Sequence, residues 1–167
     1  IIPNHEDGSF YGFEAWTENF CNLMEVHPVY VDTNDAFAGR WMYFMSKMKK
    51  NKWNPAYPYD ALKPNIEKYN IICGIGEDAH FAPDFQIGST LGWAGLIQKI
   101  ERYKQINNTP EQLHFYDLHI RGIQAVQGWI QRHIDKMEEM HASEKDEATR
   151  QHLKEMIETN LWVKNHP

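Results

Sequence analysis

The feature that most constrains this chain is a long helical pattern of apolar residues in its C-terminal third. The positions of one helix face step by three and four and are apolar except for Gln127: Leu113, Tyr116, Ile120, Ile123, Gln127, Ile130, Ile134 and Met137. Thr109, Pro110 and Gln112 supply the N-cap, the first-turn proline and the capping-box residue with which a helix begins. Such a helix would run for about 30 residues, or about 45 Å. A pattern of this length predicts a mainly α-helical chain.

Shorter helical and strand-like patterns accompany the long one. Apolar steps of three and four predict further helices over residues 13–24, 37–48 and 87–100, and a short helix is predicted over residues 62–69. A final helix is predicted to restart at residues 143–146, with Leu153, Met156, Ile157 and Leu161 facing inward. Two short apolar runs, residues 28–31 and 71–72, are typical of strands because turn residues lie beside them. The predicted fold is therefore mainly helical, with one or two short strands.

Three glycines form a stripe on the helix predicted after Pro83. Gly88, Gly92 and Gly95 recur at the spacing of one helix face, and each costs up to about 1 kcal/mol relative to alanine inside a helix. We expect packing to offset this cost, so the stripe predicts a second backbone lying very close to this helix.

The composition describes one globular domain and excludes several kinds of partner. The 167 residues are 42% hydrophobic and carry a net charge of −6, which gives no electrostatic footprint for nucleic acid or anionic lipid. No apolar run approaches about 18 residues, so no membrane span is predicted. The two cysteines make no disulfide framework and favour a reducing, cytoplasmic location.

The organisation of the chain and its aromatic residues predict a single segment, 1–167, of a larger protein. Residues 1–60 form an aromatic helical arm, residues 61–105 a strand–turn–helix unit, and residues 109–167 the long and terminal helices. Six tryptophans, eight tyrosines and eight phenylalanines are generous for a free-standing domain of this size. The sequence also begins without an initiator methionine or a signal peptide. We expect either a segment whose remainder covers this aromatic surface or a mature chain numbered after processing.

Ionisable residues cluster between the strand predicted at residues 71–72 and the following helix. Glu77, Asp78 and His80 come after a glycine-bearing turn, and α/β proteins commonly place their chemistry at such strand-to-helix junctions. Two interpretations remain open at this point. Either these side chains form part of a functional site, or the carboxylates are solvated, Asp84 caps the helix and His80 is a satisfied core histidine.

Other catalytic motifs are weak or absent in the sequence. Cys73 is either a thiol nucleophile at a strand end or a buried cysteine that acts as a small hydrophobic side chain. There is no Gly-x-Ser-x-Gly elbow, and the glycines after Cys73 lack the spacing of a dinucleotide or P-loop fingerprint. The sequence therefore predicts neither a hydrolase triad nor a nucleotide-binding loop.

Two Glu-x-x-His pairs resemble the ligands of di-iron helical bundles. The pairs are Glu111 with His114 and Glu138 with His141, and a bundle site would need a further glutamate from each of two other helices. Both pairs fall on the long helix, about 40 Å apart, so they can share a metal only if that helix breaks between them. The charged stretch around His141 favours a solvated face, and no metal site is predicted.

Three stretches resemble, in the same order along the chain, segments of one enzyme family. Residues 76–85, Gly-Glu-Asp-Ala-His-Phe-Ala-Pro-Asp-Phe, are similar to that family's Gly-x-His-x-x-Pro-Asp-Tyr element and precede a glycine-bearing helix. Residues 28–40 resemble its Pro-x-Tyr-Ile segment, and residues 115–133 resemble a helix that begins Phe-Tyr and contains an arginine near its end. The likeness covers about residues 25–140, and the family is that of the glycyl radical enzymes, the pyruvate formate lyase-like superfamily.

The resemblance implies the N-terminal part of a ten-stranded β/α barrel of the glycyl radical enzyme type. In that family a glycyl radical is installed by an activating enzyme that uses S-adenosylmethionine and an iron–sulfur cluster, and a cysteine then abstracts hydrogen from the substrate. Neither Cys21 nor Cys73 has the family's Gly-Cys-x-Glu context, and Gly122 lacks its Arg-Val-x-Gly-Tyr context. The implied function is an N-terminal segment of a lyase or dehydratase, with no catalytic residue of its own. The implied partners are a small-molecule substrate, the activating enzyme, the remainder of the same enzyme and a second subunit in a homodimer.

Four residues carry the substrate contacts that the resemblance implies. His80 matches a family position that often faces the substrate, where it would hydrogen-bond the substrate or act as an acid or base. Asp78 would orient His80 or contact the substrate directly, and Phe81 would pack the wall of the pocket. Glu77 adds a second carboxylate, in a stretch where many relatives have glycine directly before the histidine. Two carboxylates suit a cationic or hydroxylated substrate.

A second class of function stays open beside the enzymatic one. Long helices and surplus aromatic residues also suit a helical interaction or scaffold domain without catalytic activity. A scaffold domain predicts a segment that is folded and monodisperse by itself, whereas aggregation of the isolated segment would count against it.

Overall fold

Five helices make up the part of the chain that the computed structural model describes, which is residues 2–6, 8, 10–36, 38–40, 58–71 and 84–166. They are α1 (Phe13–Val26), α2 (Tyr59–Lys68), α3 (Phe85–Ile106), α4 (Pro110–Ser143) and α5 (Glu147–Asn165). None of these helices is both long enough and apolar enough to cross a membrane. The helix predicted over residues 37–48 falls almost entirely outside the described residues.

The long helix predicted from the sequence is α4, which runs for 34 residues. Thr109 Oγ1 accepts a hydrogen bond from the Gln112 N–H at 3.3 Å, and the Gln112 side-chain oxygen accepts one from the Thr109 N–H at 3.2 Å. This capping box satisfies two N–H groups at a helix end that otherwise lacks backbone partners. Gly122 and Gly128 both lie inside α4, so neither divides it.

The core of the described part lies where α4 meets α5. Four side chains from these helices are almost completely buried: Ile134, Met137, Leu153 and Met156. Burying a side chain of this size contributes roughly 1.5–3 kcal/mol. α1 also packs on α4 and buries Leu23 and Met24, and α3 contacts both α4 and α5. α4 is therefore the helix against which α1, α3 and α5 all pack.

α5 begins at a polar turn whose hydrogen bonds fix its first residues. The Asp146 carboxylate accepts hydrogen bonds from the N–H and the hydroxyl of Thr149, both at 2.8 Å. These bonds hold the pKa of Asp146 below its ordinary value. Leu153 and Met156 face inward as predicted, whereas Leu161 is 37% exposed and lies beyond the core.

The first predicted strand, residues 28–31, has no regular secondary structure and pairs with no strand in the described part of the chain. The Tyr30 N–H donates to Nε2 of His133 at 3.1 Å, and the Tyr30 carbonyl accepts from the Gly39 N–H at 2.8 Å. A side chain and a nearby turn thus satisfy the two backbone groups that a sheet would use. A short apolar run beside turn residues does not distinguish this arrangement from a strand.

Ile71, the first residue of the second predicted strand (residues 71–72), belongs to the turn that ends α2. Asn70 has a left-handed conformation with φ +49°. The Asn70 N–H donates to the Glu67 carbonyl at 3.4 Å, and the Ile71 N–H donates to the Ile66 carbonyl at 3.0 Å. These are the hydrogen bonds of a Schellman motif, which closes a helix through one left-handed residue. Residue 72 lies outside the described residues.

The expected N-terminal part of a ten-stranded β/α barrel is wrong for the described residues, which contain helices and no strand. In β/α folds the apolar face of each helix covers a sheet. Here α3, α4 and α5 pack against one another. Helix-on-helix packing takes the place that a sheet would occupy, and the helical periodicity alone cannot tell these two partners apart.

The glycines of α3 do not form the continuous close-packed stripe that their spacing predicts. Gly92 has φ +56° and ψ −168°, which interrupts the helical conformation and kinks α3. A Cβ built on Gly88 meets no described atom within 4 Å, although Gly95 is buried. Because the kink breaks the helical period, the three glycines do not share one continuous face.

Candidate functional site

The residues predicted to contact substrate lie outside the described part of the chain: Glu77, Asp78, His80 and Phe81, together with the neighbouring Cys73. The structure gives the two ends of the stretch that carries them. Before it, the Schellman turn at Asn70 and Ile71 ends α2. After it, α3 begins.

Asp84 fixes the point where α3 begins. Its carboxylate accepts a hydrogen bond from the Gln86 N–H at 3.0 Å, and its carbonyl accepts one from the Ile87 N–H at 3.2 Å. An N-cap aspartate stabilises a helix by about 0.5–2 kcal/mol relative to alanine. The capping role considered for Asp84 is therefore confirmed, and this carboxylate is engaged in local structure.

A cavity of about 350 Å³ lies between the first half of α3 and the end of α5. Its described lining consists of Gly88, Ser89, Gly92, Trp93, Leu96, Trp162, Val163 and His166. The indole of Trp162 stacks on the imidazole of His166, with ring centroids 5.3 Å apart and planes 6° from parallel. Because Gly88 and Gly92 have no side chains, this part of the glycine stripe borders a cavity instead of a neighbouring backbone.

The cavity is suited to binding an apolar or flat group more than to catalysing a reaction. The Ser89 hydroxyl lies 2.9 Å from the Phe85 carbonyl oxygen, to which it donates. His166 Nδ1 lies 3.2 Å from the Trp162 carbonyl oxygen. The described lining includes no carboxylate and no thiol. It therefore lacks the paired groups that general acid–base or nucleophilic catalysis requires.

A second, open groove of about 380 Å³ lies between α1 and α4. Its described lining consists of Phe13, Trp16, Thr17, Phe20, Trp93, Leu118, His119, Gly122, Ile123 and Val126. The rings of Phe13, Phe115 and His119 pack together, with centroids 4.3 to 4.8 Å apart. The groove is almost wholly apolar and is therefore a packing surface, not a reaction site.

Two buried histidines that the sequence patterns did not single out lie where α1 ends against α4. The rings of His27 and His133 contact the indole of Trp129 edge-on, at 5.0 and 4.9 Å between centroids. Burial holds the pKa of His133 below its ordinary value of 6.5, and the charges of Arg132 and His27 lower it further. A signal was present in the sequence, because His133 stands four residues before Met137 on the core face of α4.

Cys21 on α1 is the cysteine that the structure describes, and it is partly buried. Its thiol lies 3.8 Å from the Arg121 carbonyl oxygen. Burial raises the pKa of this thiol above its ordinary value. Because the thiolate is the reactive form, Cys21 is poorly suited to act as a nucleophile.

The two Glu-x-x-His pairs do not come together. Glu111 and His114 lie at the start of α4 and Glu138 and His141 near its end, about 40 Å apart along a continuous helix. His114 Nε2 lies 3.6 Å from the carboxylate of Glu14. The described residues contain no group of three histidine, cysteine, aspartate or glutamate side chains able to hold a metal ion. A di-iron site built from these two pairs is therefore excluded.

Comparison with known proteins identifies the family of this chain. The family model described as pyruvate formate lyase-like matches residues 42–167, about three quarters of the sequence. The match includes α2 to α5 and the undescribed stretch before α3, and it begins after α1 and the segment that follows it. No curated protein and no solved structure matches the chain. The chain belongs to the pyruvate formate lyase-like family.

Proposed function

We propose that this glycyl-radical-enzyme-related segment supplies part of the substrate pocket of a lyase or dehydratase. Such an enzyme cleaves a C–C, C–O or C–N bond of a small molecule by a radical mechanism. The observation that carries the proposal is the family match over residues 42–167, which spans the whole stretch from Glu77 to Phe81. The radical glycine and the cysteine that attacks the substrate would belong to the remainder of the enzyme.

Gly122 and Cys21 are the described residues that could correspond to the family's radical glycine and cysteine. Their surroundings support a binding role for this segment over a radical role. Gly122, which follows Arg121, lies inside α4, and a Cβ built on it would meet the Phe20 ring at 3.9 Å. A glycine enclosed in a continuous helix is poorly placed to be reached by an activating enzyme. Cys21 is partly buried, and the pKa of its thiol is raised by that burial.

Four side chains have separate roles in the proposed substrate contacts. His80 hydrogen-bonds the substrate, and Asp78 fixes the orientation and tautomer of that imidazole, as carboxylates commonly do for functional histidines. Glu77 adds a second negative charge, which favours a hydroxylated or cationic substrate. Phe81 provides the apolar wall.

The ends of the stretch support this assignment. The Schellman turn at Asn70 and the cap at Asp84 hold the chain on either side of it. Both ends of the stretch are therefore fixed by hydrogen bonds at the helix ends that flank it. α3 passes from the Asp84 cap to Gly95, which is buried.

The proposed reaction needs partners beyond this segment. The glycyl radical, installed by an activating enzyme that uses S-adenosylmethionine and an iron–sulfur cluster, would pass the radical to the cysteine that abstracts hydrogen from the substrate. The segment itself binds and orients the substrate. We propose that the intact enzyme works as a homodimer, as the resemblance implies.

The test compares His80→Gln and His80→Ala in the intact enzyme after anaerobic activation. A panel of polyols and quaternary amines, beginning with glycerol and choline, serves as substrate, and the glycyl radical is followed by electron paramagnetic resonance. We expect both variants to form the wild-type radical, with turnover reduced at least about 100-fold in His80→Ala and less in His80→Gln. Full turnover in His80→Ala would contradict the role of His80, and a wild type that consumes no member of the panel would contradict the substrate class.

A helical interaction domain is the second candidate, and the open groove between α1 and α4 favours it. Phe13 of this groove and Phe115, which packs on it, are 48% and 45% exposed, so they form an apolar surface beside the groove. The two candidates differ in what the segment needs in order to be stable. A monodisperse, cooperatively unfolding segment by analytical ultracentrifugation and urea titration supports the interaction domain, whereas aggregation counts against it.

A further inference from the structure

The segment between α1 and the undescribed residues 41–57 is held against two helices by histidine side chains. The Tyr30 N–H donates to His133 Nε2 of α4 at 3.1 Å. His152 Nε2 of α5 lies 2.9 Å from the Asp35 carbonyl oxygen. The Gly39 N–H then closes the segment on itself by donating to the Tyr30 carbonyl at 2.8 Å. Residues 28–40, named here the histidine-held segment, therefore depend on the proton positions of two imidazoles.

The partners of His133 fix its neutral form. Its Nδ1 lies 2.9 Å from the Trp129 carbonyl oxygen, so Nδ1 carries the proton and donates. Its Nε2 faces the Tyr30 N–H, so Nε2 must present a lone pair. An imidazole has one donor and one acceptor nitrogen only while it is neutral. If Nε2 of this ring also carried a proton, its N–H would face the Tyr30 N–H, which is another donor.

The surroundings of His133 oppose a positive charge. The residue is 2% exposed, and the Gly39 backbone packs on the imidazole so closely that a Cβ there would lie 3.4 Å from Nε2. Burial is the main cause that lowers the pKa of His133; the hydrogen bond to the Trp129 carbonyl acts in the opposite direction, and Arg132 and His27 add to the lowering. No described carboxylate lies within ion-pair distance of this ring to offset its charge.

We propose that His133 is an acid-sensitive pin, whose protonation at Nε2 releases Tyr30 and Gly39 from α4 and frees the histidine-held segment at that end. The proton enters at the nitrogen that accepts from Tyr30, and the hydrogen bond is replaced by two opposed N–H groups. Gly39 is released with Tyr30, since its N–H is bonded to the Tyr30 carbonyl.

The contact at His152 responds differently to the same proton. Its Nε2 faces a carbonyl oxygen and therefore donates, which both the neutral and the cationic imidazole can do. The hydrogen bond from His152 to the Asp35 carbonyl consequently persists when the one between Tyr30 and His133 is lost. Acid is expected to open one end of the segment and leave the other attached.

The titratable groups around the pin come from each element that packs on it. They are His27 at the end of α1, Arg132 on α4, Asp32, Asp35 and Arg40 on the segment, and His152 on α5. The Tyr30 hydroxyl donates to Asp32 at 3.3 Å, and the Arg40 guanidinium lies 4.3 Å from the Tyr30 ring centroid. These contacts involve the Tyr30 side chain, so they do not replace the lost backbone bond.

The direction of the pH effect follows from the lowered pKa of His133. The released state takes up a proton at a higher pH than the pinned state does. The stabilisation is therefore fully present above the ordinary histidine value of 6.5 and is lost as the pH falls below it toward the lowered pKa.

The test is an NMR and hydrogen-exchange titration of the full chain between about pH 8 and pH 5.5, a range that brackets histidine titration. Imidazole nitrogen shifts of wild type at the upper pH are expected to show protonated Nδ1 and bare Nε2 for His133. After correction for intrinsic rates, the amides of Tyr30 and Gly39 should lose protection as the pH falls below 6.5, by at most about tenfold per pH unit, which is the limit for uptake of one proton. Leu153, in the core, should keep its protection.

Two matched variants separate the pin from general acid destabilisation. His133→Gln places an amide oxygen near the position of Nε2 and cannot titrate, so its Tyr30 protection should not change with pH. His152→Gln keeps a donor for Asp35 and should retain the wild-type response. A protonated Nε2 at the upper pH, equal Tyr30 protection at both ends of the titration, or an unchanged pH response in His133→Gln would each overturn the proposal.

Discussion

Helices α3 and α5 both pack against α4, yet they bury very different faces. α5 places Leu153 and Met156 in the core, at 0% and 3% exposure. Within α3 the buried residue is Gly95, and Phe85 in the first turn is 79% exposed. α3 is also kinked at Gly92 and borders the cavity.

This difference separates the part of the chain that provides stability from the part that adjoins the proposed pocket. α4 and α5 bury large side chains from both helices in one core, whereas apolar side chains of α3 such as Leu91, Trp93 and Leu96 are only half-buried. Regions with few buried apolar contacts open locally at low free energy. We therefore expect α3, which follows the proposed substrate-contacting stretch, to open before α4 and α5 do.

The largest expected loss of stability comes from truncating a side chain in the core. Leu153→Ala should lower the free energy of unfolding by about 2–5 kcal/mol, because it removes a completely buried side chain and leaves a cavity. Ile87→Ala on α3 is the control, since this side chain is 41% exposed and should cost under about 1 kcal/mol. Urea titration measures both. Equal losses would show that α3 contributes to the core as much as α5 does.

Gly39→Ala tests the contact that holds residues 28–40 to α4. Gly39 has φ +95° and Gly12 has φ +88°, so alanine at either position should cost about 1–3 kcal/mol in backbone strain. Gly39→Ala should cost more, because its Cβ would lie 3.4 Å from His133 Nε2, while a Cβ on Gly12 meets no described atom within 4 Å. Thermal unfolding of the two variants reports the difference. A larger loss in Gly12→Ala would argue against the close packing on His133.

Removing the N-cap of α3 or that of α4 tests whether each helix unfolds together with the core. Thr109→Ala and Asp84→Ala should each cost about 1 kcal/mol of helix stability. Because α4 belongs to the core, Thr109→Ala should lower global stability, whereas Asp84→Ala should lower amide protection in α3 alone. Residue-resolved hydrogen exchange distinguishes these outcomes. A global loss in Asp84→Ala would mean that α3 unfolds together with the core.

The smallest expected effect is a gain at two open glycines. A Cβ on Gly88 of α3 or on Gly128 of α4 meets no described atom within 4 Å. Alanine at either position should stabilise its helix by about 0.5–1 kcal/mol. Gly128→Ala should raise the urea midpoint, and Gly88→Ala should raise only the protection of α3 amides. A destabilised Gly88→Ala would show that this side of the cavity is filled.

The features that were predictable from the sequence are those set by near neighbours in the chain. α4 follows from its apolar period and from the Thr109 and Gln112 capping pair, which act within one helical turn. The cap at Asp84 was considered for the same reason. Local hydrogen bonds and helix periodicity do not depend on how distant parts of the chain meet.

The features that were wrong or missed depend on distant partners. The run at residues 28–31 would be a strand only beside another strand, and its Tyr30 amide is bonded to His133, 103 positions later in the chain. The left-handed conformation of Gly92 is one that glycine permits but that spacing does not reveal. The proposed contacts at Asp78 and His80 lie outside the described residues and remain predictions.

The most direct test of the central claim asks where the radical chemistry resides. The intact enzyme and its Cys21→Ser, Cys73→Ser and Gly122→Ala variants are activated anaerobically and examined by electron paramagnetic resonance and by turnover of the substrate panel. If this segment only binds substrate, all four proteins give the glycyl doublet. Each variant then also keeps its turnover, apart from a loss caused by altered packing. Absence of the doublet from the intact enzyme, its loss in Gly122→Ala, or a radical-bearing Cys73→Ser without turnover would contradict the account.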